Sequence, residues 1–145
     1  MKSTIRAMKE TDRAQILEMM WMFYASPAVL SNGSETIFAA DFDASVSDSP
    51  YLDGYVFENG EEIQDYAMVA KSFSTEFGKP CIWIEDLYVK DSCRGLGLGS
   101  RFLNYIESKY SNAVLRLEVE DENKRAIRVY KNCGFEELPY MEMKK

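Results

Sequence analysis

The chain contains no histidine in 145 residues, and that absence removes a large share of enzyme chemistry. It excludes a Ser-His-Asp triad, a Cys-His nucleophile pair and any zinc site with a histidine ligand. A general base must then be a carboxylate, tyrosine, lysine, cysteine, terminal amine or water. Cysteine is scarce too: Cys81, Cys93 and Cys133 are the only three, far apart and without a CxxC pair. An odd, unpatterned count argues against a disulfide framework and suits a reducing cytoplasm. No apolar run is long enough to span a bilayer, and no apolar segment follows the first basic residues. Neither a membrane span nor a secretory signal is therefore expected.

Positive charge is missing from one long stretch. Between Ala14 and Ala70 there is no lysine or arginine, yet ten carboxylates fall there: Glu18, Glu35, Asp41, Asp43, Asp48, Asp53, Glu58, Glu61, Glu62 and Asp65. Thirteen of the 17 basic residues come after it. The net charge of −7 argues against nucleic acid as a main partner. The acidic half reads either as a solvated face kept for solubility or as a field that attracts a cationic substrate.

What remains is an ordinary soluble composition, 46% hydrophobic and 28% charged, long enough for one domain over 1–145 with a core of its own. Ser3–Met8 reads as a short strand. Thr11 or Asp12 can cap a helix whose apolar positions are Ile16, Leu17, Met20, Met22, Phe23 and Tyr24, ending by Pro27. Asn32-Gly33 reads as a turn, and Ser34 or Glu35 opens a second helix through Ala44. Tyr51–Glu58, a turn at Asn59-Gly60 and Gln64–Phe73 form a hairpin. Cys81–Val89 is the next strand. Leu98, Phe102, Leu103 and Ile106 keep helical spacing, and Val114–Val119 alternates as a strand. Lys124–Asn132 is a last helix, closed by Gly134 in the position that favours positive φ. Met141–Lys144 is suited to a final strand.

The richest segment is Arg94-Gly95-Leu96-Gly97-Leu98-Gly99, between a strand and a helix. Three glycines in five residues let the backbone turn sharply and approach a ligand without Cβ interference. The turn opens onto a helix N-terminus, where unpaired N–H groups and the helix dipole suit a phosphate. There is no Gly-Lys-Ser/Thr of a nucleoside triphosphatase, and the glycine spacing is not that of a dinucleotide fold.

Arg94-x-x-Gly97-x-Gly99, followed by a helix, a strand and Asn123-x-x-Ala126-x-x-x-Tyr130-x-x-x-Gly134-Phe135, resembles the GCN5-related N-acetyltransferase (GNAT) superfamily. The resemblance is motif-level over residues 82–135 and rests on element order before that. It implies an α+β fold: a central mixed, mostly antiparallel sheet of about six to seven strands, splayed between the fourth and fifth, flanked by about four helices. It also implies acetyl-CoA as co-substrate, with no metal. The pyrophosphate would lie on the amides of Arg94, Gly95, Leu96, Gly97, Leu98, Gly99 and Ser100, and Leu87, Tyr88 and Val89 would hold pantetheine as an added strand. Tyr130 would protonate the leaving thiolate, and Asn123 would cap its helix or touch the cofactor.

Ile84-Glu85-Asp86-Leu87-Tyr88-Val89 is similar to the corresponding strand of the diamine and polyamine acetyltransferases. That makes Glu85 the first candidate for the base that takes a proton from the acceptor amine, and Asp86 the second. With no histidine and no recognisable nucleophilic cysteine, transfer is expected to be direct, through a ternary complex. The acceptor is left open. A small cationic amine suits the acidic half, against a protein lysine or N-terminal acetyltransferase, or a sensor that binds acyl-CoA without turnover. A cytoplasmic protein is expected, and an edge at Tyr140–Lys144 leaves room for a homodimer.

Overall fold

The computed structural model describes residues 3–30 and 33–145; the turn expected at Asn32-Gly33 reaches outside them. The order is β1 (Thr4–Ala7), α1 (Arg13–Tyr24), α2 (Glu35–Val46), β2 (Leu52–Asn59), β3 (Glu62–Ser74), β4 (Lys79–Val89), α3 (Leu98–Lys109), β5 (Val114–Leu117) and α4 (Lys124–Asn132). The five strands lie in sequence order in one sheet. The first four pair antiparallel, and β5 joins β4 in parallel. Among the described residues no helix is long and apolar enough to cross a membrane.

Local chemistry accounts for most boundaries. Gly60 takes a positive φ of 67° in the hairpin between β2 and β3, as the Asn-Gly pair predicts. Ser34 caps α2 by accepting from the Ile37 N–H at 3.2 Å. Asp12 does not cap α1 through its side chain. Its carboxylate instead accepts from the Lys9 N–H at 2.9 Å and from both Arg6 terminal nitrogens, at 2.8 and 2.9 Å. The nearby cation competes successfully for the capping oxygen.

The sheet carries a layer on each face. α1 and α2 lay Ile16, Met19, Met20, Phe38 and Phe42 against Val56, Tyr66, Met68 and Tyr88. α3 lays Leu98, Phe102, Leu103 and Ile106 against Tyr55, Phe57, Ala67, Val69, Ile82 and Ile84, with Val129 and Tyr130 of α4 beside them. Strand alternation sorts the residues, so Tyr55 and Phe57 face one layer and Val56 the other. Met22, expected on the buried face of α1, is instead 52% exposed.

The strand count is five where six to seven were expected, and Met141–Lys144 form no strand. The tail offers little to a ladder: Pro139 has no N–H to donate, and the apolar side chains of Leu138, Tyr140, Met141 and Met143 all stand exposed. The edge proposed for a homodimer is accordingly not formed. Likewise β5 stops at Leu117, two residues short of the alternating run.

Phe102 is the keystone of the α3 layer, 1% exposed among sheet side chains. Phe102→Ala should destabilise the fold by about 3–5 kcal/mol, read as a lowered midpoint in urea denaturation. A loss below about 1 kcal/mol would show that α3 contributes little to the core.

Candidate active site

Beyond Val89 the chain makes a short 3-10 turn, Asp91–Cys93, and enters the glycine segment. Gly95 and Gly97 have φ of 81° and 75°, a region costly for residues with a Cβ. A Cβ built on Gly95, Gly97 or Gly99 would meet nothing within 4 Å. These glycines therefore serve backbone conformation and access, not packing. The first bond of α3 runs from the Arg101 N–H to the Gly97 carbonyl at 3.0 Å, so the amides of Leu98, Gly99 and Ser100 have no partner within the helix. Open space before converging N–H groups and the positive end of a 12-residue helix fits a diphosphate.

The Arg94 side chain is engaged within the turn itself. Its Nε donates to the Val89 carbonyl at 3.2 Å, and Nη1 meets Asp91 at 2.8 Å. Its guanidinium lies 5.9 Å from the Tyr88 ring centre. It braces the turn onto the end of β4. Cys93 beside it is buried, as befits a small packing side chain.

The slot follows from the sheet itself. β5 pairs with β4 only from Cys81↔Val114 to Ile84↔Leu117, closed by Arg116 over the Trp83 ring at 4.7 Å. β4 runs five residues further, and Glu85–Val89 has lost its partner on that side. Leu87, Tyr88 and Val89 thus present a backbone edge free of β5 and leading to the glycine turn, engaged at its end where the Val89 carbonyl accepts from Arg94. Tyr130 reaches the same cluster as Leu87 and Val89 from α4, set edge-on to Phe135 at 6.1 Å. Burial, then the charge of Asp65, pushes its phenol above the ordinary tyrosine value, which keeps its proton in place at neutral pH. Asn123 caps α4, its Oδ1 accepting from the Ala126 N–H at 3.3 Å. The loop, the free edge and α4 therefore surround one gap.

A β-bulge decides the two acidic residues. Asp86 pairs with Met68 and Ile84 with Val69, so Glu85 is an extra residue without a partner on β3. The bulge reverses the alternation. Ile82 and Ile84 face α3, but Asp86 and Tyr88 turn to the α1–α2 side. Glu85 is exposed at the kink. Partial burial, then the charges of Glu142 and Asp41, raises its carboxyl above the usual range. Asp86 is buried and accepts from the Tyr66 hydroxyl at 2.8 Å and the Tyr24 hydroxyl at 3.1 Å. Burial pushes it up to about 6, against the pull of those two donors.

Other groups here escape a reading of motifs. Asp41 of α2 acts on both Glu85 and Asp86. Glu118, just past β5, shares a hydrogen bond with Glu142 of the tail, and this first, then burial, pushes it up to about 7. Conversely, three carboxylates of the cation-free stretch are neutralised from outside it. Asp43 pairs with Arg13 at 2.6 Å, Asp53 with Lys71 at 2.9 Å and Glu58 with Arg6 at 3.0 Å.

Because Asp86 binds its proton more tightly in the folded protein, its ionisation costs stability as pH rises from 3.8 through about 6. Asp86→Asn does not titrate. The unfolding free energy of wild type relative to this variant should therefore fall between pH 4 and 7, approaching about 3 kcal/mol. A difference that stays constant across that range in urea titrations would contradict the burial argument.

Comparison with known proteins accords with this geometry. A family model described as the acetyltransferase (GNAT) family matches residues 14–135. A thialysine N-epsilon-acetyltransferase of Bos taurus is 36% identical over 86 residues, 57% of this chain and 50% of that enzyme. The Sus scrofa enzyme of the same name is 29% identical over 95% of this chain and 86% of its own length. The matched part thus spans half the length of the Bos taurus relative. Among solved structures, a possible acetyltransferase from Clostridium difficile 630 superposes with a TM-score of 0.82 at 21% identity, covering 99% of this chain and 96% of its own. An aminoglycoside N-acetyltransferase in complex with CoA does so at 0.82 and 14%, covering 99% and 94%; at such identities these two speak for the fold alone. The family model, spanning most of the sequence, makes the chain a member of the acetyltransferase (GNAT) family, whose enzymes are acyl-CoA-dependent N-acetyltransferases with acetyl-CoA as co-substrate.

Proposed function

We propose that the protein moves an acetyl group from acetyl-CoA directly to the amine of a small cationic acceptor within a ternary complex. The observation that carries this is the placement of carboxyl groups around the free edge of β4. Glu85 and Asp86 stand on the bulge, Asp41 faces them from α2, and Glu118 and Glu142 sit beside the end of β5. An ammonium ion entering there gains attraction in a partly buried setting, where charges act more strongly than in bulk water. The relatives named for acetylating thialysine, an amine, support the same acceptor class.

Each part then has a role. The amides from Gly95 through Ser100 hold the diphosphate, the expected Arg94 N–H being bonded to the Asp91 carbonyl at 3.3 Å, and Leu87, Tyr88 and Val89 hold the pantetheine amides as an added strand. Asn123 keeps α4 in register beside it. Glu85 takes the proton from the acceptor ammonium, directly or through a water, and its raised affinity for protons suits that task. The freed nitrogen attacks the thioester carbon and passes its second proton to solvent water, the carbon–sulfur bond breaks, and Tyr130 supplies the proton to the sulfur. No histidine is available to form an acyl-enzyme.

Gly97→Val places a branched side chain at a φ of 75° and in front of the diphosphate amides. It should raise the Kd for CoA at least about tenfold in calorimetric titration, corresponding to roughly 1.4 kcal/mol. Unchanged affinity would remove the loop from the binding site.

A panel of mono-, di- and polyamines, aminoglycosides and peptide amines, assayed with acetyl-CoA and thiol detection, tests the acceptor. The best substrate should be a cationic amine, with kcat/KM falling as salt rises past about 0.1 M, where the Debye length is about 10 Å. Glu85→Gln should lower the rate at neutral pH and recover at higher pH, where more free amine exists. Salt-independent turnover of a neutral acceptor, or an unaltered pH profile in Glu85→Gln, would defeat the reading.

A further inference from the structure

One buried acid lies outside the chemistry described so far. Asp65 stands on the central strand β3, 1% exposed. The irregular register at Gln64 pairs Glu58 with Ile63 and Phe57 with Asp65, while β4 sets Val89 opposite Asp65. Its side chain therefore issues from the α3–α4 face, where Phe57, Ala67, Val89 and Tyr130 gather. Its Oδ2 has no hydrogen-bond partner among the described residues. A buried oxygen left in this state costs folding free energy, which a role in chemistry would explain. The neighbouring cation is spent: Arg101 of α3 lies 4.9 Å from the Phe57 ring centre and donates to the Ser3 carbonyl at 3.0 Å. Burial without a cation holds the Asp65 proton in place well above the usual carboxylate range. From α4, Tyr130 is close enough for an ionised Asp65 to strengthen its hold on the phenol proton.

We propose that Asp65 is a positioning residue for Tyr130: its carboxyl stands behind the phenol and, through one water, returns a proton to the Tyr130 oxygen. The proposal rests on the reading of Tyr130 as general acid. As the carbon–sulfur bond breaks, the electron pair goes to sulfur, which takes the Tyr130 proton. The phenolate then takes a proton from the bridging water, which takes the Asp65 proton in turn. The Asp65 carboxylate regains a proton from solvent as products leave. The orphan oxygen provides the water's anchor.

Two measurements need no acceptor. The infrared spectrum of the resting protein at pH 7 should hold a protonated-carboxyl band that Asp65→Asn removes. With 13Cζ-labelled tyrosine, the Tyr130 titration midpoint should move down in Asp65→Asn, because a negative neighbour has been lost. A missing band or an unmoved midpoint overturns the proposal. Rates with the fastest amine of the panel complete the test. Tyr130→Phe should lower kcat by about 10²–10⁴ and Asp65→Asn by roughly tenfold, with the CoA Kd unchanged. The double variant should be no slower than Tyr130→Phe alone, the non-additivity of residues that act as a unit. If Tyr130→Phe retains wild-type kcat, the general-acid reading fails and the inference with it. If Tyr130→Phe is slow but Asp65→Asn is as fast as wild type, only the inference fails. Asp65→Ala, whose cavity admits water, replaces Asp65→Asn in the same tests should the amide variant not fold.

Discussion

The short parallel pairing between β4 and β5 is the constraint on which the rest depends. It holds for four residue pairs and then stops, while β4 continues to Val89. A strand edge buried without partners is ordinarily a defect, since each unpaired amide or carbonyl away from water costs free energy. Here the open edge leads directly to a turn in which the amides of Leu98, Gly99 and Ser100 have no partner within the helix. Two sets of backbone groups therefore lie side by side, the arrangement on which the proposed cofactor site rests. The side chains around them need only keep the edges apart and the turn in shape, as Arg94 and the Trp83–Arg116 stack do.

The second organising feature is the bulge at Glu85. One extra residue in β4 separates two consecutive acids, leaving Glu85 exposed at the kink and Asp86 buried beneath two tyrosine hydroxyls. Their environments differ accordingly. Glu85 keeps access to solvent and substrate, whereas Asp86 is held by Tyr24 and Tyr66 and ties α1 to the centre of the sheet. Asp41 adds a third carboxyl from α2, and its charge adds to burial in raising both Glu85 and Asp86. Such a group of carboxyls is relieved by a bound cation, which is the electrostatic basis for an amine acceptor.

Acids of raised proton affinity lie on both faces of β3 and β4. Asp65 lies under α3 and α4, Asp86 under α1 and α2, and each is raised chiefly by burial. Desolvation disfavours the charged form whatever the surrounding sequence. A chain without histidine thus obtains groups that bind protons above the usual carboxylate range by burying aspartates in its central strands.

Local sequence determined much about this protein. The helix at Lys124–Asn132, the Asn59-Gly60 hairpin and the glycine turn all follow from spacing and turn chemistry, because these are short-range preferences of the backbone. The turn and the Asn123–Phe135 helix also carried the family, and the acidic excess pointed toward a cationic partner. Only the tertiary structure decided the rest. That β5 would release β4 after Ile84, that Arg94 would brace the turn, and that Met141–Lys144 would form no strand all depend on long-range pairing. The bulge reversed the alternation that a strand sequence implies, and cations remote in sequence neutralised Asp43, Asp53 and Glu58. Asp41, Asp65, Glu118 and Glu142 belong to no motif. Their character comes from burial and from carboxyls brought near by folding, neither of which is written in the residues on either side of them.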